Sequence, residues 1–169
     1  VYKDPSALAL LDHLHKTFPA IQSLLYVIND KANDVLYPHT INVHAGTAYI
    51  EETMEDLTFQ IGPKTFYQTN SFQAYNLYKI TRDFAQLKGE ECVYDLYTGI
   101  GTIAQFVAKN AKKVVGVDVV PESIAAAKQN ADANKIENTF FEAGDMKNIF
   151  TEAFIERHGK ADVVITDPP

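Results

Sequence analysis

Residues 95–101 read Asp95-Leu96-Tyr97-Thr98-Gly99-Ile100-Gly101, at the point where an apolar, strand-like run gives way to a helix-like one. The run before it, Val93-Tyr94-Asp95-Leu96-Tyr97, favours a strand, and Thr102-Ile103-Ala104-Gln105-Phe106-Val107-Ala108 after it favours a helix. Glycine accepts positive φ and has no Cβ, so the backbone can turn sharply off a strand and admit a ligand to its N–H groups and to the next helix. Asp118 follows about 20 residues further on, after a second strand-like run, Val114-Val115-Gly116-Val117. G-x-G-x-x-A with an acidic residue at that distance is the pattern of a nucleotide-binding βαβ unit. A plain tight turn would also use Gly99 and Gly101, but it would not call for the strand before, the helix after and the later acid.

Working outward, the same alternation continues toward the C-terminus. Pro121 opens a helix carrying Ile124, Ala127 and Ala131. A strand at Thr139-Phe140-Phe141-Glu142, a helix from Met146 to about Arg157 and a strand at Asp162-Val163-Val164-Ile165-Thr166 follow. Alternating strands and helices with buried-looking strands imply an α/β fold, a Rossmann-like doubly wound parallel sheet. Upstream, Asn70 with Gln73 three residues later resembles a capping box, and Gln73, Leu77, Ile80, Phe84 and Leu87 fall on one helical face that Gly89 ends. Before Asn70 the pattern is β-rich after one helix, Pro5 to Thr17. Short runs at 24–28, 41–43, 47–52 and 57–61 are separated by Asn29-Asp30, Ala45-Gly46 and Gly62-Pro63. The expected division is a small α+β subdomain over 1–72, with one small antiparallel sheet, and a nucleotide-binding domain over 73–169. An open sheet of this kind ordinarily continues past a fourth strand, so the chain ending at Asp167-Pro168-Pro169 is expected to be part of a longer protein.

Composition narrows the function classes. The chain has 169 residues, 46% of them hydrophobic, enough for a proper core. Its net charge is −7, spread over both halves with no Lys/Arg block, so this segment should bind nucleic acid only weakly on its own. The single cysteine, Cys92, excludes an internal disulfide and a Cys-rich metal site and suits a reducing compartment. No run of 18 apolar residues is present, and the expected location is cytoplasmic, away from membranes. His13, His15, His39, His44 and His158 lack metal-ligand spacing and are expected on surfaces or turns, and no metal is expected.

Ligands of open α/β sheets sit beyond the carboxyl ends of the strands. Tyr97, Gly99, Gly101, Asp118, Asp145 and Asp167 all fall at or just after such ends. Asp118 is placed to accept two ribose hydroxyls, and Asp145 to reach an adenine edge. Each has a structural alternative: Asp118 or Asp145 as a helix cap, Tyr97 as core packing. Cys92 opens its strand at the opposite end from the ligand crevice and reads as structural.

Asp95-x-x-x-Gly99-x-Gly101 resembles the first motif of class I S-adenosylmethionine methyltransferases, and Asp167-Pro168-Pro169 resembles the motif that methyltransferases acting on nucleobases, and some acting on glutamine, place beside the transferred methyl. Two prolines fix φ and offer no N–H, which makes a stiff wall. Phe59-Gln60-Ile61-Gly62-Pro63-Lys64-Thr65-Phe66-Tyr67-Gln68-Thr69-Asn70 resembles the F-x-I-x-P-x-x-F-F-Q-x-N signature of the RNA uracil-5-methyltransferases, which make 5-methyluridine in transfer and ribosomal RNA. Asp95 to Thr102 is similar to that family's D-L-Y/F-x-G-x-G loop, and Val115 to Asp118 with Ala125 to Ala131 to its G-V-E/D and A-x-x-N-A stretches. The resemblance runs from about Thr47 to Pro169.

It implies S-adenosylmethionine as cofactor, held by Gln68, Tyr97, Gly99, Gly101, Thr102, Asp118, Asp145 and Asp167. Gln68 and Asn70 also read as a polar pair capping the helix at 73–87. The chain departs from the family where Asp118 replaces the commoner Glu and Thr98 the commoner Cys. It further implies an RNA substrate, ribosomal in preference to transfer RNA, attacked by a cysteine thiolate at uracil C6 and relieved of its C5 proton by a carboxylate base. The family carries both residues after Asp-Pro-Pro, so the segment to Pro169 is expected to bind cofactor without turnover. An RNA-binding domain and, in some members, an iron–sulfur cysteine cluster precede the part matched here. The rival readings are an amino-group methyltransferase on adenine or glutamine, and a non-catalytic RNA-binding module.

Overall fold

The structure, a computed structural model, describes residues 5–32, 36 and 39–168. Pro169, the last residue of the Asp-Pro-Pro motif, lies outside them. The chain divides into two compact units, one reaching residue 50 and including 62–64, the other formed by residues 51–61 and everything from 65 onward. In the first, α1 (Pro5–Thr17) accompanies an antiparallel pair of β1 (Ser23–Val27) and β2 (Ile41–Gly46), with an irregularity between Leu24 and Leu25. Among the described residues no helix is long and apolar enough to cross a membrane.

The second unit is built on four parallel strands, β5 (Cys92–Leu96), β6 (Lys113–Asp118), β7 (Thr139–Ala143) and β8 (Val163–Thr166), in the order β7-β6-β5-β8. Tyr94 pairs with Val115 and Val164, and Leu96 with Val117 and Thr166. Side chains alternate along β5. Val93 enters a core with Ile103, Phe106 and Val107 of α3 (Thr102–Ala108) and Ile124 and Ala127 of α4 (Pro121–Ala133). Tyr94 points the other way, to Phe154 of α5 (Glu152–His158). Both faces are covered, as a parallel sheet requires. The order reverses between β6 and β8 around β5, so the crevice at the carboxyl end of β5 and β8 is the topological switch point.

Several expectations need correcting. The early strands form two separate two-stranded sheets in place of one, and the second hairpin, β3 (Ile50–Met54) and β4 (Leu57–Ile61), lies almost wholly in the larger unit. A boundary at 72/73 therefore cuts through that unit. Two asparagines one helical turn apart, Asn130 on α4 and Asn134 at its C-cap, explain why the hairpin packs there. Asn130 Oδ1 accepts the Gln60 N–H at 2.8 Å and its Nδ2 donates to the Gln60 carbonyl; Asn134 Oδ1 accepts the Thr58 N–H at 2.9 Å and its Nδ2 donates to the Thr58 carbonyl at 3.0 Å. Four helical residues rise about 6 Å and two strand residues about 6.8 Å, so the two amides match alternate residues of β4 and behave as a neighbouring strand would.

At the hairpin turn Glu55 adopts φ 53°, unusual for a residue with a side chain. Its carboxylate takes two hydrogen bonds from Arg82 at 2.9 Å and one from Lys109 at 3.1 Å. The Arg82 pairing holds it down at about 2, against some desolvation.

In α2 (Ser71–Ala85) the expected apolar face is the wrong one. Leu77, Ile80 and Phe84 are exposed, Phe84 by 84%, and Ala74 and Tyr78 are buried. Ala74 permits close approach, and Tyr78 and Arg82 meet Phe106, the guanidinium 4.3 Å from its ring centroid. Asn70 does cap α2, accepting the Gln73 N–H at 3.1 Å, but the helix ends before Gly89, with Gln86 left-handed at its C-cap. The helix expected from Met146 begins at Glu152, because Asp145 closes a separate turn over Lys147 to Ile149 and Thr151 caps α5 through the Phe154 N–H. His158 is buried with its Nε2 2.6 Å from Glu142, whereas a surface position was expected.

Replacing Asn130 by Ala leaves the Gln60 N–H and carbonyl without partners at a half-buried position. Urea denaturation should show a loss of about 1–3 kcal/mol; an unchanged midpoint would remove the asparagine pair as the reason the hairpin packs on α4.

Candidate functional site

The loop after β5 turns through three left-handed residues, Tyr97 (φ 62°), Gly99 (φ 54°) and Gly101 (φ 79°). Asp95 directs it. Its carboxylate is wholly buried, and one oxygen accepts the Thr98 hydroxyl at 2.5 Å and the Ala104 N–H at 3.0 Å, tying strand end, loop and α3 together. The other oxygen has no partner among the described residues. Burial pushes the Asp95 carboxyl up to about 7, partly opposed by those two hydrogen bonds and assisted by Asp167 and Asp118.

Gly101 is the N-cap of α3, and a Cβ there would stand 2.8 Å from Phe141. Gly99 is different: a Cβ on it would meet nothing within 4 Å. No packing demands glycine at that position, and the open space lies over a residue that lines the cleft.

That cleft, about 60 Å³, is enclosed by Gln68, Tyr97, Thr98, Gly99, Thr102 and Asp167, with Phe66, Tyr67, Tyr78, Ile100 and Ile103. It lies at the switch point. Gln68 Nε2 donates to Asp167 Oδ2 at 3.3 Å, so the segment before α2 meets the end of β8 across it. Asp118 adjoins it: Oδ2 accepts the Gly99 N–H at 2.9 Å and Oδ1 the Val120 N–H at 2.9 Å.

Of the residues chosen from sequence, Gln68, Tyr97, Gly99, Thr102 and Asp167 thus share one cleft, Asp118 is bonded to its rim, and Gly101 supports it as a cap. Asp145 is not among the lining residues; its side chain accepts the Lys147 N–H at 2.8 Å in a turn of its own, and the helix that follows is capped by Thr151 instead. Tyr97 is 40% exposed, in the loop just past the strand, so core packing does not describe it. Asn70 caps α2, while Gln68 turns to Asp167. Cys92 stands at the amino end of β5, with Sγ against the His158 carbonyl and its thiol pushed up by burial.

Sequence reasoning did not single out Phe66, Tyr67, Tyr78, Thr98, Ile100 and Ile103 as site residues. Tyr78 carried a signal, its place on α2 one turn from Ala74, but the aliphatic stripe beside it drew the assignment.

Asp167 lines the cleft, Asp118 is bonded to its rim, and Asp95 is buried behind the lining residue Thr98, whose hydroxyl it accepts. Such a site favours a ligand carrying positive charge near a nucleoside, and donors from Gln68 and Thr102 leave room for an anionic end.

Residues 87–168 match the family described as methyltransferase domain. The fold of this part is the Rossmann-like fold of class I methyltransferases. The chain is 56% identical over 160 residues to an uncharacterized RNA methyltransferase of Bacteroides thetaiotaomicron, covering 95% of this chain and 35% of that protein. It is 38% identical over 165 residues to another of Halalkalibacterium halodurans, covering 98% and 36%. The chain therefore spans about a third of the length of these relatives. Among solved structures, the Pyrococcus abyssi tRNA (uracil-54, C5)-methyltransferase in complex with S-adenosyl-L-homocysteine aligns with a TM-score of 0.73 and 28% identity, over 92% of this chain and 36% of that one. The M. jannaschii tRNA m1G37 methyltransferase shares the fold, with a TM-score of 0.63 and 16% identity over 96% of this chain and 46% of its own.

A carboxyl that is harder to ionise in the folded protein than in the unfolded chain gives stability that is present at low pH and lost as pH rises. For Asp95 the window runs from its ordinary value, 3.8, to about 7. Thermal melts between pH 4.5 and 8 should show Asp95→Asn losing a falling component of a few kcal/mol present in the wild type. Parallel curves for the two proteins would contradict the burial argument.

Proposed function

We propose that the protein is an S-adenosylmethionine-dependent RNA methyltransferase that methylates C5 of uridine. One observation carries the reading: the Gln68–Asp167 hydrogen bond brings the Phe59–Asn70 segment and the Asp-Pro motif together at the mouth of the glycine loop. Those are the three stretches that resemble the uracil-5 enzymes, and they are distant in sequence. The likeness to the Pyrococcus abyssi uracil-54 enzyme and the RNA methyltransferase names of the relatives support it.

The residues fit the cofactor. Asp118, bonded at the rim to Gly99 and Val120, keeps acceptor capacity for ribose hydroxyls, and Asp167 in the lining suits a cation. When bound, S-adenosylmethionine supplies an activated methyl group on a sulfonium. Gln68 and Asp167 fix the position of that end, and Pro168, which has no N–H, stiffens the wall after Asp167. The nucleophilic thiolate that uracil chemistry needs comes from outside residues 1–169, because Cys92 sits at the far end of β5.

Calorimetry with S-adenosylhomocysteine tests the cofactor site. Wild type should bind, and Asp118→Ala and Gln68→Ala should each weaken binding by roughly ten to a hundredfold. No binding by wild type, or undiminished binding by both variants, would overturn the assignment. For the acceptor, ribosomal and transfer RNA from cells lacking the gene should each be mapped for 5-methyluridine. Loss at a single uridine in ribosomal RNA is expected; an unchanged 5-methyluridine map would contradict the C5 reading.

A further inference from the structure

Tyr78 lines the cleft, yet the cofactor reading so far gives it no task. It stands in the middle of α2, is 4% exposed, and shares the cleft with Gln68, Thr102 and Asp167. Its ring packs on Phe106 at 6.1 Å between centroids, with the planes at 55°, so the direction of the hydroxyl is fixed by packing. Buried tyrosine hydroxyls ordinarily find a hydrogen-bond partner. Among the described residues this one has none, as is also true of the Tyr67 hydroxyl in the same cleft, whereas Thr98 spends its own hydroxyl on Asp95.

The electrostatics define what the hydroxyl offers. Burial, then Tyr67, Asp167 and Asp95, raise the Tyr78 phenol far above its ordinary range. It is a neutral donor at any working pH, and the phenolate plays no part.

The position of Asp118 decides which part of a ligand meets the cleft. Asp118 holds the Gly99 N–H at the rim and does not line the cleft, so ribose hydroxyls that reach it lie outside. The part left to enter is the amino-acid end of S-adenosylmethionine, a short, flexible chain with an ammonium and a carboxylate. Asp167 suits the ammonium. The carboxylate needs donors, and the hydroxyls on the cleft wall without a hydrogen bond among the described residues are those of Tyr67, Tyr78, Tyr97 and Thr102; of the two tyrosines among them whose phenols burial raises, Tyr78 is the one that feels Asp167 and Asp95, whereas Tyr67 feels Glu52.

We propose that Tyr78 is a positioning residue that donates a hydrogen bond to the amino-acid carboxylate of the bound cofactor and so seats the methionyl end in the cleft. The proposal rests on the S-adenosylmethionine reading above and adds to it a residue and a contact. Its effect on transfer is indirect: with the amino-acid end anchored, the sulfur is held at a set distance from Asp167.

Calorimetry with three ligands on the full protein tests it. S-adenosylhomocysteine carries the whole amino-acid end, its decarboxylated analogue keeps the amine alone, and 5′-methylthioadenosine lacks both. Tyr78→Phe keeps the ring on Phe106 and removes only the hydroxyl. The expected result is that this variant binds S-adenosylhomocysteine roughly tenfold more weakly than wild type and binds 5′-methylthioadenosine equally well. Wild type should also lose roughly tenfold on the decarboxylated analogue, a comparison that needs no variant to fold. Unchanged S-adenosylhomocysteine affinity in Tyr78→Phe, an equal loss for both ligands, or wild type indifferent to the carboxylate would each overturn the role of Tyr78. Wild type binding none of the three would instead overturn the cofactor reading itself.

Discussion

The carboxylate of Asp95, enclosed between β5 and α3, accepts the Thr98 hydroxyl and the Ala104 N–H on one oxygen, and the shape of the cleft follows from that double bond. A strand that ends at Leu96 must release the chain into three left-handed residues and restart it as a helix at Thr102. Without a fixed point inside the turn, a non-glycine residue at Tyr97 would have no reason to remain at positive φ. Asp95 supplies the point, and Asp118 supplies a second by holding the Gly99 N–H from β6. The loop is thus suspended between two carboxyl groups, of which Asp118 borders the cleft. Burying one of them is costly, and its raised affinity for a proton is the measure of that cost.

A second constraint brings the remote wall of the cleft into place. The hairpin of β3 and β4 is joined to α4 by the amides of Asn130 and Asn134 and to α2 and α3 through Glu55, Arg82 and Lys109. These anchors lie on either side of α3, and the chain resumes beyond the hairpin with Phe66, Tyr67 and Gln68 at the cleft. Sequence distance is bridged by side-chain amides that satisfy strand backbone, which is why a segment from the β-rich part of the chain serves the nucleotide-binding part.

Much of this was legible in the sequence where local chemistry decides. The parallel sheet could be read from alternating apolar runs, and the glycine loop from residues with no other local use; Asn70 as a cap needed only its position before α2. The failures share a cause as well. Leu77, Ile80 and Phe84 form the better aliphatic stripe, but α2 packs through Ala74, Tyr78 and Arg82, because a small residue and a cation over Phe106 fit the space left by α3. Periodicity cannot tell which stripe a neighbour will prefer. Nor could it show that Asn130 and Asn134 bond a strand some 70 residues away, or that Asp145 closes its own turn. Tyr78 was hidden for the first of these reasons: it lies on the face of α2 that the aliphatic pattern passed over.

The central claim is that the space between Gln68, Tyr78, Gly99 and Asp167 is where S-adenosylmethionine binds. A crystal structure of the protein with S-adenosylhomocysteine tests it most directly. The account predicts the amino-acid end of the ligand in that cleft, its thioether beside Asp167 and its ribose hydroxyls on Asp118. Ligand density at another surface, with the Gln68–Asp167 contact undisturbed and the cleft filled by water, would contradict it.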